Sequence, residues 1–162
     1  MVKYKTYVLK RMNMPFTIVF VRDNFDETLI EALNRVVNEI DKYLKNVEEK
    51  FSPFLPDSLV SKHTDIGEVL QEDFFDLEYQ EVYSRSIIAK KETHGLFNPF
   101  FGGKYNPTGF VKGWAIENAF MKYIKPLIDN NIIEAGAING AGDMQVGTRL
   151  GSNFIWKIGI EN

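Results

Sequence analysis

The run from Asn106 to Phe120, NPTGFVKGWAIENAF, decides how this chain is read. It joins a Pro/Gly turn to the start of an amphipathic helix and places Lys112 one residue before a second glycine, Gly113. Gly109 is free to take a positive φ or to let a ligand approach the backbone closely. The N–H groups of a helix start then favour an anion through hydrogen bonds and the macrodipole. Lys112 would add a full positive charge. The stretch is a candidate phosphate cradle, set against the common alternative of an ordinary helix start with a solvated lysine. Two familiar nucleotide motifs do not fit the spacing. The Gly102-Gly103-Lys104 triplet is followed by Tyr105 instead of Ser or Thr and lacks the upstream glycine of a P-loop. Gly136, Gly140 and Gly142 follow a GxxxGxG order, which is not that of a dinucleotide-binding turn. A nucleotide site here belongs to another fold.

Upstream of this run, Lys5 to Leu9 and Phe16 to Val21 are rich in β-branched and aromatic residues and flank Asn13 to Pro15, which predicts two strands around a turn. Asn24 and Glu27 form a capping box. Behind it Leu29, Ile30, Leu33, Val36, Val37, Ile40, Tyr43 and Leu44 recur at helical spacing, predicting a helix that covers the sheet. Phe51 to Asp57, with two prolines, reads as a loop. A second helix is expected from about Asp73 to Glu92, with Phe74, Leu77, Val82, Ile87 and Ile88 inward and Gly95 ending it. The loop NPFFGGKYNPTG, from Asn98 to Gly109, has the composition of a ligand-contact segment and leads into a third helix, Phe110 to about Ile124. Ile132 to Asn139, Met144 to Gly147 and Phe154 to Ile160 read as strands, the first two joined by a turn at Gly140 to Asp143. The expected fold class is α+β, a mostly antiparallel sheet covered by about three helices. No repeat or interdomain linker is evident, so residues 1–162 are read as a single domain.

Composition is that of an ordinary globular protein, with 44% hydrophobic and 25% charged residues. A net charge of −3 argues against nucleic acid or an anionic membrane as the main partner. There is no cysteine, so disulfides, thiolate metal sites and a lipid-anchored cysteine are unavailable to this sequence. The N-terminal MVKYKTYVLKRMNM lacks a long apolar segment, and no stretch is apolar enough to span a membrane. The expected location is cytoplasmic. His63 and His94, the only histidines, show no metal-ligand spacing and read as surface residues.

Four elements, in order, carry a resemblance. The central run resembles the conserved block of the ApbE family, the FAD:protein FMN transferases, approximately D-[LP]-[GS]-G-x-x-K-G-[YW]-A-x-[DE], with Pro107, Gly109, Lys112, Gly113, Trp114, Ala115 and Glu117 in register. THGLFNP, Thr93 to Pro99, is similar to the family's T-x-G-x-F-[DN]-P element. FSPFLPDSLVSK, Phe51 to Lys62, is similar to its F-S-x-[FY] segment. INGAGDMQVGT, Ile138 to Thr148, with Trp156 to Ile160, is similar to its GGD ending. The resemblance covers roughly Met12 to Asn162. It departs at Asn106, where the family has an acid, at Thr108, its second small residue, and at Ala141, where GGD has its first glycine.

The resemblance implies an enzyme that moves FMN from FAD to a Thr or Ser of an acceptor flavoprotein, releasing AMP with the help of Mg²⁺. It assigns Ser52 and Ser58 to the flavin pocket and Thr93, Gly95, Phe97 and Asn98 to its wall. Asn106, Thr108, Gly109, Lys112 and Gly113 fall to the phosphate end, and a backbone carbonyl at Gly109 to the metal. Glu117 is assigned to a ribose or to solvent, and Gly142 and Asp143 to a ligand-facing loop or, for Asp143, to a plain hairpin turn. Relatives continue with a portion carrying a catalytic His and metal-binding Asp and Thr, so the chain is expected to be incomplete at its C-terminus. Strand edges left uncovered would then favour a homodimer or aggregation. Two alternatives stay open: a non-catalytic FAD-binding module, and hydrolysis of the FAD pyrophosphate.

Overall fold

The protein, seen as a computed structural model, is described for residues 1–62 and 75–160. His63 and the expected start of the second helix at Asp73 and Phe74 lie outside the described residues. In order come β1 (Lys3–Arg11), β2 (Met14–Arg22), α1 (Glu27–Phe51), α2 (Leu59–Lys62), α3 (Leu77–Glu92) and α4 (Thr108–Ala119). A π-helical turn (Phe120–Ile124), α5 (Lys125–Asp129), β3 (Ala135–Gly140) and β4 (Asp143–Thr148) complete the series. The chain falls into two compact units, Met1–Tyr43 with Ile116–Asn162, and Leu44–Ala115.

The first unit is built on an antiparallel sheet in the order β1-β2-β3-β4. Alternation in β2 sets its register, because Phe16, Ile18 and Phe20 all point to one face and are fully buried. Burying each such side chain contributes about 1.5–3 kcal/mol. Across β2 these residues oppose Leu9, Tyr7 and Lys5 of β1 and Gly140, Ile138 and Gly136 of β3. The glycines let helical side chains press onto the sheet. A Cβ at Gly140 would lie 2.7 Å from the Phe16 ring and 3.0 Å from Ile116, and one at Gly136 would lie 2.5 Å from Ile124.

Two-residue turns close both hairpins. Met12 and Asn13, at φ 53° and 58°, join β1 to β2, and Ala141 and Gly142, at φ 50° and 99°, join β3 to β4. Paired positive φ values match the right-handed twist of the flanking strands. The first turn therefore precedes the expected Asn13–Pro15, and Pro15 lies inside β2 opposite Lys10. There β3 has already ended, since its Gly140 pairs with Phe16, so the missing N–H breaks no ladder bond with β3.

Helix α1 carries the expected stripe, with Leu29, Leu33, Val37, Ile40 and Leu44 buried. Its first part is tied to β1 by Tyr7 Oη donating to Asn34 Oδ1 at 2.7 Å and by Arg11 forked on Asp41 at 2.7 and 2.9 Å. The cap is Asp26, whose carboxylate accepts the Leu29 N–H at 2.8 Å, instead of Asn24. The third helix begins earlier than expected, at Thr108, and changes pitch before Pro126. The Lys125 N–H reaches back five residues to the Phe120 carbonyl, absorbing the break that a proline imposes. Phe154 to Ile160, expected as a strand, has no ladder partner. The segment is held by side chains instead: Trp156 Nε1 donates to the Gly147 carbonyl at 3.2 Å, and the Phe154 ring meets Tyr4 and Trp156.

The second unit is organised by aromatic rings. Tyr79 stacks on Phe51 at 5.9 Å, Trp114 meets Phe51 edge-on at 5.6 Å, and Tyr105 lies 5.1 Å from Tyr83 and 6.1 Å from Tyr79. The buried face of α3 is therefore Tyr79, Val82 and Ser86, while Leu77 and Ile88, expected inward, are exposed. Asp76 caps α3 through the Tyr79 N–H, and Lys50 bridges Asp76 and Glu78, both at 2.9 Å.

A cavity in the second unit

The loop between α3 and α4 is anchored at both ends. At the first, α3 finishes in a Schellman arrangement in which the Gly95 N–H reaches the Lys90 carbonyl and the His94 N–H that of Lys91. His94, at φ 52°, takes the left-handed position that glycine usually fills, and it is exposed, as expected of a surface histidine. The Thr93 hydroxyl bonds the Ala89 carbonyl and accepts the Phe97 N–H, turning the chain into the loop. At the second end Tyr105 is 2% exposed, with its hydroxyl 3.2 Å from that of Ser86. Burial pushes its pKa far above the usual phenol value, so this hydroxyl is a structural anchor and stays protonated.

Between these anchors opens a cavity of about 670 Å³, within the range of small-molecule sites. One wall comes from the connection after α1 and from α2, through Pro53, Val60 and Ser61. The other comes from the loop, through Phe97, Asn98, Phe101, Lys104 and Asn106, and from the first turn of α4, through Thr108 and Gly109.

That first turn has a specific donor pattern. Asn106 Oδ1 accepts the Thr108 N–H at 3.1 Å and also the Thr108 hydroxyl, so Asn106 caps the helix. Pro107 has no N–H to offer, and the Phe110 N–H bonds the Pro107 carbonyl at 2.8 Å. The Gly109 N–H is left without a partner among the described residues. Gly109 does not take a positive φ, because it lies within the helix; its missing Cβ leaves room for the Phe97 ring, 3.4 Å from where that atom would be.

Of the residues singled out from the sequence, Phe97, Asn98, Asn106, Thr108 and Gly109 are brought together around the cavity. Thr93 and Gly95 shape the loop that carries them. Ser52 and Ser58 serve the fold: the buried Ser58 hydroxyl donates to the Ser52 carbonyl at 2.6 Å and accepts the Ser61 N–H. Ser61 lines the cavity in their place. Lys112 is half-buried on α4 and Gly113 faces open space; neither lines the cavity. Trp114 is core, 3% exposed. Glu117, Gly142 and Asp143 belong to the first unit, where Gly142 sits in the β3–β4 turn, its N–H held by Asn139 Oδ1 at 3.0 Å, and Asp143 pairs with Gly140.

Among the described residues of the lining, Lys104 is the one charged side chain and no carboxylate accompanies it. Among the described residues no group of three His, Asp or Glu side chains is placed to hold a metal. Mg²⁺ is bound through carboxylates together with a substrate's phosphates; the described lining residues offer donors for an anion and no carboxylate for the ion. The Gly109 carbonyl lies within the α4 run, where it faces the amide one turn on. Sequence reading missed Ser61, Phe101 and Lys104. The signal was the GGK triplet itself, set between Phe101 and Tyr105 in a loop already marked by its composition.

No protein-family model matches the chain, and no curated protein is similar to it at a significant level. Solved structures are. The flavin transferase ApbE from Vibrio cholerae superposes with a TM-score of 0.67 over 90% of this chain and 59% of its own, at 13% identity. The apo form of the Pseudomonas stutzeri flavinyl transferase ApbE does so at 0.70, over 98% of this chain and 65% of its own, at 13% identity. The ApbE protein of Thermotoga maritima gives 0.69, over 99% and 64%, at 16% identity. The protein therefore has an ApbE-like α+β fold, and it spans about 59–65% of the length of these structures. Among the described residues no helix is long and apolar enough to cross a membrane.

Proposed function

We propose that the cavity of the second unit holds FAD and that the chain serves flavin transfer, moving FMN from FAD to a Thr or Ser hydroxyl of an acceptor flavoprotein. The observation that carries this reading is the convergence of Phe97, Asn98, Asn106, Thr108 and Gly109 on one cavity within an ApbE-like fold. In the transfer, the acceptor oxygen bonds to the FMN phosphorus, the bond from that phosphorus to the bridging oxygen breaks, and AMP leaves with that oxygen. The acceptor hydroxyl gives up its proton to solvent.

The chain's own residues supply binding and orientation. The partnerless Gly109 N–H is directed outward from a helix start, where it favours a phosphate oxygen. The exposed ring of Phe101 offers a face to a flavin or adenine.

A second reading, an FAD-holding module without transfer, is favoured by the absence of carboxylates among the described residues of the lining. The test is incubation with FAD, Mg²⁺ and an acceptor carrying an S/T-G-A-S/T sequence, followed by intact-mass analysis and AMP chromatography. Gain of an FMN mass with one AMP per acceptor supports transfer. Binding with neither product supports the module, and FMN with AMP but no modified acceptor marks hydrolysis.

A further inference from the structure

We propose that Lys104, in place of Lys112, is the cation that holds the phosphate portion of the ligand in this cavity. The inference rests on the flavin-nucleotide reading for the identity of the ligand, but its geometry stands on the loop alone. Lys104 lines the cavity and Lys112 does not. Among the described residues the Lys104 ammonium has no ion pair, hydrogen bond or ring contact, whereas Lys112 is engaged in an interaction of its own. The other cations around the loop are also committed: Lys50 to Asp76 and Glu78, Arg85 to Glu81 and the Phe110 ring, and Lys90 to the Phe100 ring.

The placement of Lys104 is fixed by its neighbours. Gly103, at φ 81°, turns the chain immediately before it, with the Gly103 N–H on the Phe100 carbonyl at 3.0 Å. Tyr105, immediately after it, is driven into the aromatic core. The Asn106 N–H then bonds the Pro99 carbonyl at 2.6 Å, closing the loop. A short, closed loop with one buried tyrosine leaves the adjacent lysine on the cavity side. An unpaired ammonium in a cavity whose described lining holds no carboxylate is suited to a phosphate or pyrophosphate group.

The experiment titrates the full chain and its Lys104→Gln and Lys112→Gln variants with FAD, with riboflavin, which has no phosphate, and with inorganic pyrophosphate. Flavins are read by fluorescence and pyrophosphate by calorimetry, with circular dichroism checking each variant's fold. The expected result is a loss of about tenfold or more in FAD and pyrophosphate affinity for Lys104→Gln, riboflavin unchanged. Lys112→Gln should stay within about twofold of the parent for all three. Equal FAD affinity in the parent and Lys104→Gln, equal losses for FAD and riboflavin, or a larger loss in Lys112→Gln would overturn the proposal. Pyrophosphate binding that depends on Lys104 in a chain blind to both flavins would remove the flavin reading and leave the inference standing. A parent chain that binds none of the three removes both.

Discussion

The side-chain oxygen of Asn106 accepts the backbone N–H of Thr108 at 3.1 Å, so this residue works as a helix cap on the rim of the cavity. The cap spends one of the few free donors of the α4 first turn and leaves that of Gly109, a lining residue, without a partner among the described residues. Asn106→Ala is expected to cost about 1 kcal/mol of stability. Asn106→Asp should keep the cap and its stability, while its charge lowers affinity for an anionic ligand. Urea denaturation of both variants, with FAD titration of Asn106→Asp, checks the pair of effects.

Gly140 and Ala141 are neighbours with opposite expectations. A methyl group added at Gly140 would press on the Phe16 ring and Ile116, both buried, so Gly140→Ala should cost about 1–3 kcal/mol. Ala141 already holds a left-handed φ of 50° at an exposed turn position, where glycine has no strain. Ala141→Gly should therefore stabilise by up to about 1 kcal/mol. Thermal melts of the two variants should shift in opposite directions; a loss in Ala141→Gly would show that Ala141 carries no strain at its left-handed φ.

Alkaline pH should weaken the second unit. Burial lowers the Lys50 pKa, but its hydrogen bonds to Glu78 and Asp76, with their charges, outweigh this and the net shift is upward. Burial likewise raises that of Tyr105. Both groups bind protons more tightly folded than unfolded. Their contribution is thus complete below the unfolded values, about 10 for Tyr and 10.4 for Lys, and is lost as pH climbs through the folded ones. Denaturation midpoints should fall between pH 9 and pH 11. Lys50→Met should show a smaller fall, along with a loss of about 1–2 kcal/mol at neutral pH from the two part-exposed carboxylates it strands. An identical pH slope in parent and variant would place the alkaline loss elsewhere.

Much of the fold was legible because it is written in local periodicity. Phe16, Ile18 and Phe20 alternate as a half-buried strand must, and the α1 stripe from Leu29 to Leu44 repeats as a helix face must. What failed depended on partners the sequence does not announce. Phe154 to Ile160 has strand composition, yet it joins no ladder and is held by the side-chain contacts of Phe154 and Trp156. On α3 the ring cluster of Phe51, Tyr79 and Tyr105 selected the buried face, overriding Leu77 and Ile88. The cavity was half legible for the same reason. Thr108 and Gly109 stand out within a helix start, whereas Ser61 of α2 and Lys104 of the α3–α4 loop join the lining only through the folding of segments distant in sequence.

The central claim is that the unit spanning Leu44–Ala115 holds a flavin nucleotide, and a fluorescence titration of the whole chain with FAD tests it most directly. Saturable micromolar binding, competed by pyrophosphate, is the predicted result. Flavin fluorescence that stays unchanged up to millimolar FAD would contradict the account, leaving an ApbE-like fold without its flavin site.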